Sequence, residues 1–152
     1  NGDDVEARFW LKNWPSTKKS SQQKLWLYGR SEVVRQQAQF VSCNNIQHHS
    51  RGVDFTLNTH LGDIEIHSPL LGDFNIDNLL AVIAVLLIEG LGLDTIAEKV
   101  TRVKPIAGRM EALSTHGAPT AVVDYAHTPD ALQEVIKSIK NTYKEHKKVL
   151  SV

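Results

Sequence analysis

Residues 120–139 read Thr-Ala-Val-Val-Asp-Tyr-Ala-His-Thr-Pro-Asp-Ala-Leu-Gln-Glu-Val-Ile-Lys-Ser-Ile, and this stretch decides the fold class. Residues 120–123 form a short apolar strand. Thr128 is suited to cap a helix, and Pro129 stands at the first helical position, where its missing N–H removes no hydrogen bond. Ala131, Leu132, Val135, Ile136 and Ile139 then recur at intervals of three and four, which lays one apolar stripe along that helix. Residues 149–152, Val-Leu-Ser-Val, read as a returning strand. Strand, helix and strand predict a right-handed βαβ unit with a parallel pair, hence an α/β protein.

Upstream the rhythm differs. Residues 25–28, 38–42, 52–57 and 62–67 alternate apolar and polar with turn residues between them, which predicts a small antiparallel sheet with one wet face. After Gly72, Asn75 or Asp77 can cap a helix through Leu79, Leu80, Val82, Ile83, Leu86 and Leu87 that stops at Gly90 and Gly92. Apolar nearly all round, it is expected to be buried. Asp94 is read as the cap of a second helix, over residues 95–103, before Pro105. At the start of the chain Phe9, Trp10, Leu11 and Trp14 suggest a short helix ending at Pro15, and the polar residues 16–24 suggest a loop. Gly108, Gly117 and Pro119 bracket a hinge. The predicted division is residues 1–108 as one unit, 109–119 as linker and 120–152 as the start of another.

Composition removes several classes of function. Seventeen basic residues balance seventeen acidic ones, so the chain lacks the basic surface of a nucleic-acid binder. The single cysteine, Cys43, allows neither an internal disulfide nor a cysteine zinc cage, and suits a reducing compartment. The longest apolar run, residues 79–88, is half the roughly 20 residues that span a bilayer. With no signal-like opening, a cytoplasmic protein is expected. Asn1 in place of Met, and a final strand that ends without a turn, suggest a piece of a longer protein.

Five residues are candidates for binding chemistry. Asp124 and His127 lie where a strand runs into a helix N-terminus, the place where open α/β sheets hold ligands. A carboxylate there can accept from a ribose diol, or simply cap the turn. Arg109 sits at the hinge, and its guanidinium can fork onto phosphate oxygens or pair with Glu111. Asn75 and Asn78 present side-chain amides that match the edge of an adenine, though capping explains them equally well. His48 and His49 are adjacent on a strand, point to opposite faces, and are read as solvent-exposed. Lys18 and Lys19 belong to the polar loop. The chain contains no G-x-x-x-x-G-K-[ST] phosphate loop, G-x-S-x-G elbow or G-x-G-x-x-G fingerprint.

Four motifs together, Asn1-Gly2-Asp3-Asp4, Gly72-Asp73-Phe74-Asn75-Ile76-Asp77-Asn78, Gly108-Arg109-Met110-Glu111 and Asp124-Tyr125-Ala126-His127-Thr128-Pro129-Asp130-Ala131-Leu132, resemble the Mur ligases over the whole chain. The likeness is greatest to the branch that adds the third amino acid of the peptidoglycan stem peptide. It implies that residues 1–108 are the later half of a central ATPase domain and that residues 120–152 begin a Rossmann-like C-terminal domain. It also implies ATP and Mg2+ as cofactors, with UDP-muramoyl-dipeptide and an amino acid as substrates; the amino acid is diaminopimelate or lysine, and the overall likeness leans to diaminopimelate. The terminal carboxylate would be phosphorylated to an acyl phosphate, which the incoming amine attacks. Asn75 and Asn78 would lie near adenine, Arg109 at the phosphates, Asp124 on the ribose and His127 close by. The family's phosphate loop, magnesium ligands, modified lysine and UDP-sugar domain have no counterpart in these 152 residues. No ligase activity is therefore expected of the chain alone, and an uncovered apolar face could drive association. Two alternatives are a non-catalytic nucleotide-binding or interaction module that keeps half of the ATP site, and a relative of the folylpolyglutamate synthetases, which share Asp-Tyr-Ala-His.

Overall fold

Alternation in the third strand builds the core. Val53, Phe55 and Leu57 are buried, while Asp54, Thr56 and Asn58 between them face the other way. Successive side chains on a strand point to opposite faces, so one face becomes apolar and the other wet. The computed structural model describes residues 1–13, 24–144 and 149. In chain order its elements are α1 (Val5–Asn13), β1 (Leu27–Tyr28), α2 (Glu32–Arg35), β2 (Phe40–His49), β3 (Gly52–Thr59), β4 (Gly62–Ser68), α3 (Asp73–Ile88), α4 (Leu93–Val100), β5 (Glu111–Leu113), β6 (Ala121–Val123) and α5 (Pro129–Thr142).

The first sheet has the order β1-β2-β3-β4. Both hairpin pairings are antiparallel as the alternation predicts, and only β1 joins in parallel. A bulge interrupts β2 between Asn44 and Gln47. There Asn45 takes a left-handed φ of 52° and its amide donates to Thr56 Oγ1. On the apolar face lies α3, which buries Ile76, Leu79, Leu80, Ile83, Ala84 and Leu87 against Val41, Val53, Phe55, Leu57 and Ile66. Ile96 and Val100 of α4 complete this core. Cys43 is 2% exposed within it, and burial pushes its thiol up to about 11.

Helix α3 departs from the reading in two ways. It begins at Asp73 after Gly72, whose φ of +94° turns the chain into the first turn, so Asn75 and Asp77 lie inside the helix rather than capping it. Its outer face is also bare, with Val82, Val85 and Ile88 53%, 56% and 54% exposed, because the sheet covers only one side. Gly90, at φ +85°, ends the helix as expected: its N–H donates to Leu87 O, and that of Leu91 donates to Leu86 O. Similarly, α4 starts one residue ahead of Asp94, after an extended Gly92, and stops at Val100.

The first unit is held to the start of the chain by Arg30. Its Nε donates to Asp77 Oδ1 at 2.9 Å and its Nη2 to Asp73 O at 2.7 Å. The Asp3 carboxylate accepts the backbone N–H groups of Arg30 and Ser31 at 2.6 and 2.9 Å. Burial works to raise the Asp3 pKa, but hydrogen bonds from Ser31 and Arg30 and the Arg30 charge outweigh it and leave it lowered. At Asp77 burial prevails over Arg30, and the carboxyl is raised. His48 was expected in solvent. Instead its side chain is 12% exposed and its Nε2 lies 2.9 Å from Asp73 Oδ1, since the strand turns it toward the α3 N-terminus. His49 is half-buried as well, 3.3 Å from Asp54 on the wet face.

Beyond α4, β5 and β6 form an antiparallel pair with Ala112 opposite Val122. Part of the stretch read as linker is thus a strand. Thr128 caps α5 as predicted, its Oγ1 accepting the Ala131 N–H, with Pro129 behind it. The returning strand at residues 149–152 lies outside the described residues apart from Val149, as do Trp14, Pro15 and most of the polar loop. Among the described residues the only partner of β6 is β5. No described helix is long and apolar enough to cross a membrane.

Two measurements check this account. Ile83→Ala should lower the unfolding free energy by about 2–5 kcal/mol in urea melts, whereas Val85→Ala on the bare face should cost about 0.5 kcal/mol or less. Because the Asp3 pKa lies below the ordinary 3.8, its contribution is complete above that value and lost as pH falls through the folded-state value. Wild type should therefore be more stable than Asp3→Asn at pH 7, and their acid-unfolding curves should converge once Asp3 is protonated.

Candidate functional site

Arg109 stands at the tip of a tight turn. Gly108 and Met110 on either side have φ of +72° and +47°, the second uncommon for a residue with a side chain. The turn buries Met110 to 1% exposure and sends Arg109 outward. The Glu111 carboxylate accepts the Gly108 N–H at 2.9 Å, so it braces the turn from within. The Arg109–Glu111 salt bridge weighed from sequence is not among the ion pairs of the described residues; the guanidinium carbon lies 5.6 Å from the centre of the Tyr125 ring.

Asp124, at the exit of β6, straps this turn to the next segment. Its Oδ2 accepts the Met110 N–H at 2.9 Å and its Oδ1 the Ala126 N–H at 2.7 Å. The turn-capping role weighed from sequence is therefore present. An ionised carboxylate has about four lone-pair sites, so these bonds leave acceptor capacity for a ligand hydroxyl. His127 is exposed, with Nδ1 3.0 Å from Tyr125 O.

Asn75 and Asn78 stand one turn apart on α3. Asn75 donates to Leu71 O at 2.7 Å and accepts from Asn78 Nδ2 at 3.3 Å. Asn75 is thus largely committed to the fold, whereas Asn78 is exposed and keeps its carbonyl oxygen for a ligand. Both asparagines and Arg109 line one cavity of about 530 Å³, together with Phe74, Lys104 and Ile106. That volume falls within the roughly 300–1,000 Å³ of small-molecule sites. Asp124 and His127 are not among the residues that line it. Phe74 and Lys104 were missed in the sequence. No motif marks Lys104, which reaches the cavity beside Pro105 on the path between α4 and the Arg109 turn. The cavity offers an apolar floor, an amide edge and two cations, which suits a planar base carrying phosphates.

This α/β chain thus holds an apolar cavity between the start of α3 and the Arg109 turn. The family comparisons are specific: residues 1–86 match the Mur ligase middle domain, and residues 108–152 match the Mur ligase glutamate ligase domain. The chain belongs to the Mur ligase family. It is 35% identical over 136 residues to UDP-N-acetylmuramoyl-L-alanyl-D-glutamate–2,6-diaminopimelate ligase of Haemophilus influenzae, covering 90% of this chain and 26% of that protein. A solved structure of a ligase with the same name superposes with a TM-score of 0.71 and 29% identity, over 92% of this chain and 27% of the other. A Mycobacterium tuberculosis folylpolyglutamate synthase complexed with ADP and AMPPCP superposes at 0.56 with 25% identity, over 65% of this chain and 23% of the other. The chain spans about a quarter of the length of the curated relatives it matches.

Removing the Asp124 carboxylate leaves the Met110 and Ala126 N–H groups without their acceptor. Asp124→Ala should cost about 1–3 kcal/mol and speed amide hydrogen exchange at Met110 well beyond that of the α3 core.

Proposed function

We propose that the chain forms the adenine- and phosphate-facing side of an ATP-dependent ligase that adds 2,6-diaminopimelate to UDP-N-acetylmuramoyl-L-alanyl-D-glutamate. One observation carries the reading: Asn75 and Asn78 from one motif and Arg109 from another line a single cavity. The relatives' names support the substrates. The two family matches support a boundary between a central and a C-terminal ligase domain near residue 108.

In this reading Asn78 meets the adenine edge and Asn75 holds Asn78. Arg109 faces the phosphates, Asp124 accepts from the ribose while keeping the turn in place, and His127 stands near the sugar. ATP phosphorylates the substrate carboxylate, the amine of diaminopimelate displaces phosphate, and an amide, ADP and phosphate result. Arg109 then holds the charge that grows on the transferred group, an electrostatic task. Magnesium neutralises phosphate oxygens when bound. Among the described residues no group of three or more His, Cys, Asp or Glu is placed to hold a metal ion. Folylpolyglutamate synthesis is the second reading, supported by the Asp-Tyr-Ala-His stretch and by the folylpolyglutamate synthases among the structural relatives.

The test is an amide NMR titration of the chain with ADP, AMP and adenosine. Roughly millimolar binding is expected, weakening from ADP to adenosine, with shifts at Asn75, Asn78, Lys104 and Arg109. An unresponsive cavity would remove the nucleotide reading. Replacing the corresponding segment of the Haemophilus influenzae ligase with this chain then tests the substrate: turnover with diaminopimelate supports the proposal, and turnover with glutamate and a folate favours the second reading.

A further inference from the structure

We propose that Tyr125 is a positioning residue for Arg109, its ring holding the guanidinium at the cavity so that the segment after β6 aims a cation supplied by the preceding turn. The inference rests on the nucleotide reading of the cavity. Three observations lead to it.

The first is that Tyr125 is 69% exposed, so burial of its own surface does not explain where it sits. Its ring meets the Arg109 guanidinium, whose carbon is 5.6 Å from the ring centre, within the range where the negative ring face attracts a cation.

The second is that the ring rests on bare backbone. A Cβ at Gly108 would come within 2.8 Å of Tyr125 Cε2 and 2.9 Å of Cδ2, and the Gly108 φ of +72° also disfavours a side chain. The glycine therefore serves both the turn and the ring that covers it.

The third is that hydrogen bonds fix several neighbouring backbone groups, whereas no hydrogen bond or ion pair of the Arg109 side chain is found among the described residues. Asp124 bonds Met110 and Ala126, Glu111 bonds Gly108, and His127 Nδ1 meets Tyr125 O. Arg109 has no ion pair among the described residues that would orient it. Its long side chain has many rotamers, and a ligand that needs it in one place bears the entropy of choosing that rotamer. A ring already in contact reduces that cost before the ligand arrives, which raises affinity without a contact of its own.

The experiment uses two readouts. Without ligand, the Nε–Hε resonance of Arg109 should carry an upfield ring-current shift in the wild-type chain and in Tyr125→Phe, and lose it in Tyr125→Leu. With ligand, Tyr125→Leu should weaken ADP binding about twofold to fivefold, Tyr125→Phe should leave it unchanged, and adenosine binding should not move. In an Arg109→Met background, Tyr125→Leu should have no further effect. An Arg109 resonance that is indifferent to Tyr125→Leu overturns the proposal, and so does a lost ring-current shift with unaltered ADP affinity. A Tyr125 effect that persists in Arg109→Met shows the ring acting on the nucleotide itself and also overturns it. If wild type binds no ADP, or Arg109→Met binds it normally, the phosphate reading fails and the inference falls with it, while the resonance still reports whether the ring orients the side chain. Amide dispersion of Tyr125→Phe and Tyr125→Leu separates these outcomes from misfolding.

Discussion

Everything in the first unit depends on one contact, the inner face of α3 lying on the apolar face of a small sheet. Ile76, Leu80 and Ile83 are fully buried against Val53, Phe55, Leu57 and Ile66. Burying a side chain of this size is worth roughly 1.5–3 kcal/mol, so the face as a whole outweighs any polar contact nearby. Its effect on the site is positional. Once the inner face is fixed, the helix rotation is fixed too, and Asn75 and Asn78 are presented at the cavity. Arg30 and His48 add orientation at the same end of the helix by gripping Asp73 and Asp77.

The second unit reaches the cavity by different means. Among the described residues Met110 is the buried hydrophobic side chain there, Ser138 and Thr142 are the buried residues of α5, and hydrogen bonds brace the Arg109 turn. One carboxylate, Asp124, binds the backbone on both sides of a discontinuity in sequence, and a strained turn is held in consequence. Positive φ at Met110 is tolerable only because the surroundings leave the residue no alternative.

The sequence was most legible where periodicity is strong. The β3–β4 hairpin, the stop at Gly90 and the Thr128–Pro129 start of α5 follow from local rules that tertiary packing did not override. The start of α3 is not marked by a side-chain cap, because Gly72 enters the helix through its own backbone. His48 was misjudged because alternation along a strand says which face a residue takes and not what the other element brings to meet it. Of the site, the asparagines and Arg109 were visible as residue types in a pattern. Their sharing a cavity was not visible, since that depends on the path of residues 101–108, and Lys104 carries no motif. The folding role of Asp124 was weighed only as an alternative, because its partner Met110 is fourteen residues away.

Cys43 has a practical consequence. It is the sole cysteine of the chain, enclosed among the side chains of the sheet, with its thiol held mostly in the protonated form. Thiol reagents require a thiolate they can reach, and this one is neither ionised at neutral pH nor accessible. A cysteine placed on the surface would therefore take a fluorophore or spin label without first stripping the native sulfur from the core. The wild-type interior already provides the silent background that labelling of most proteins has to create by mutation.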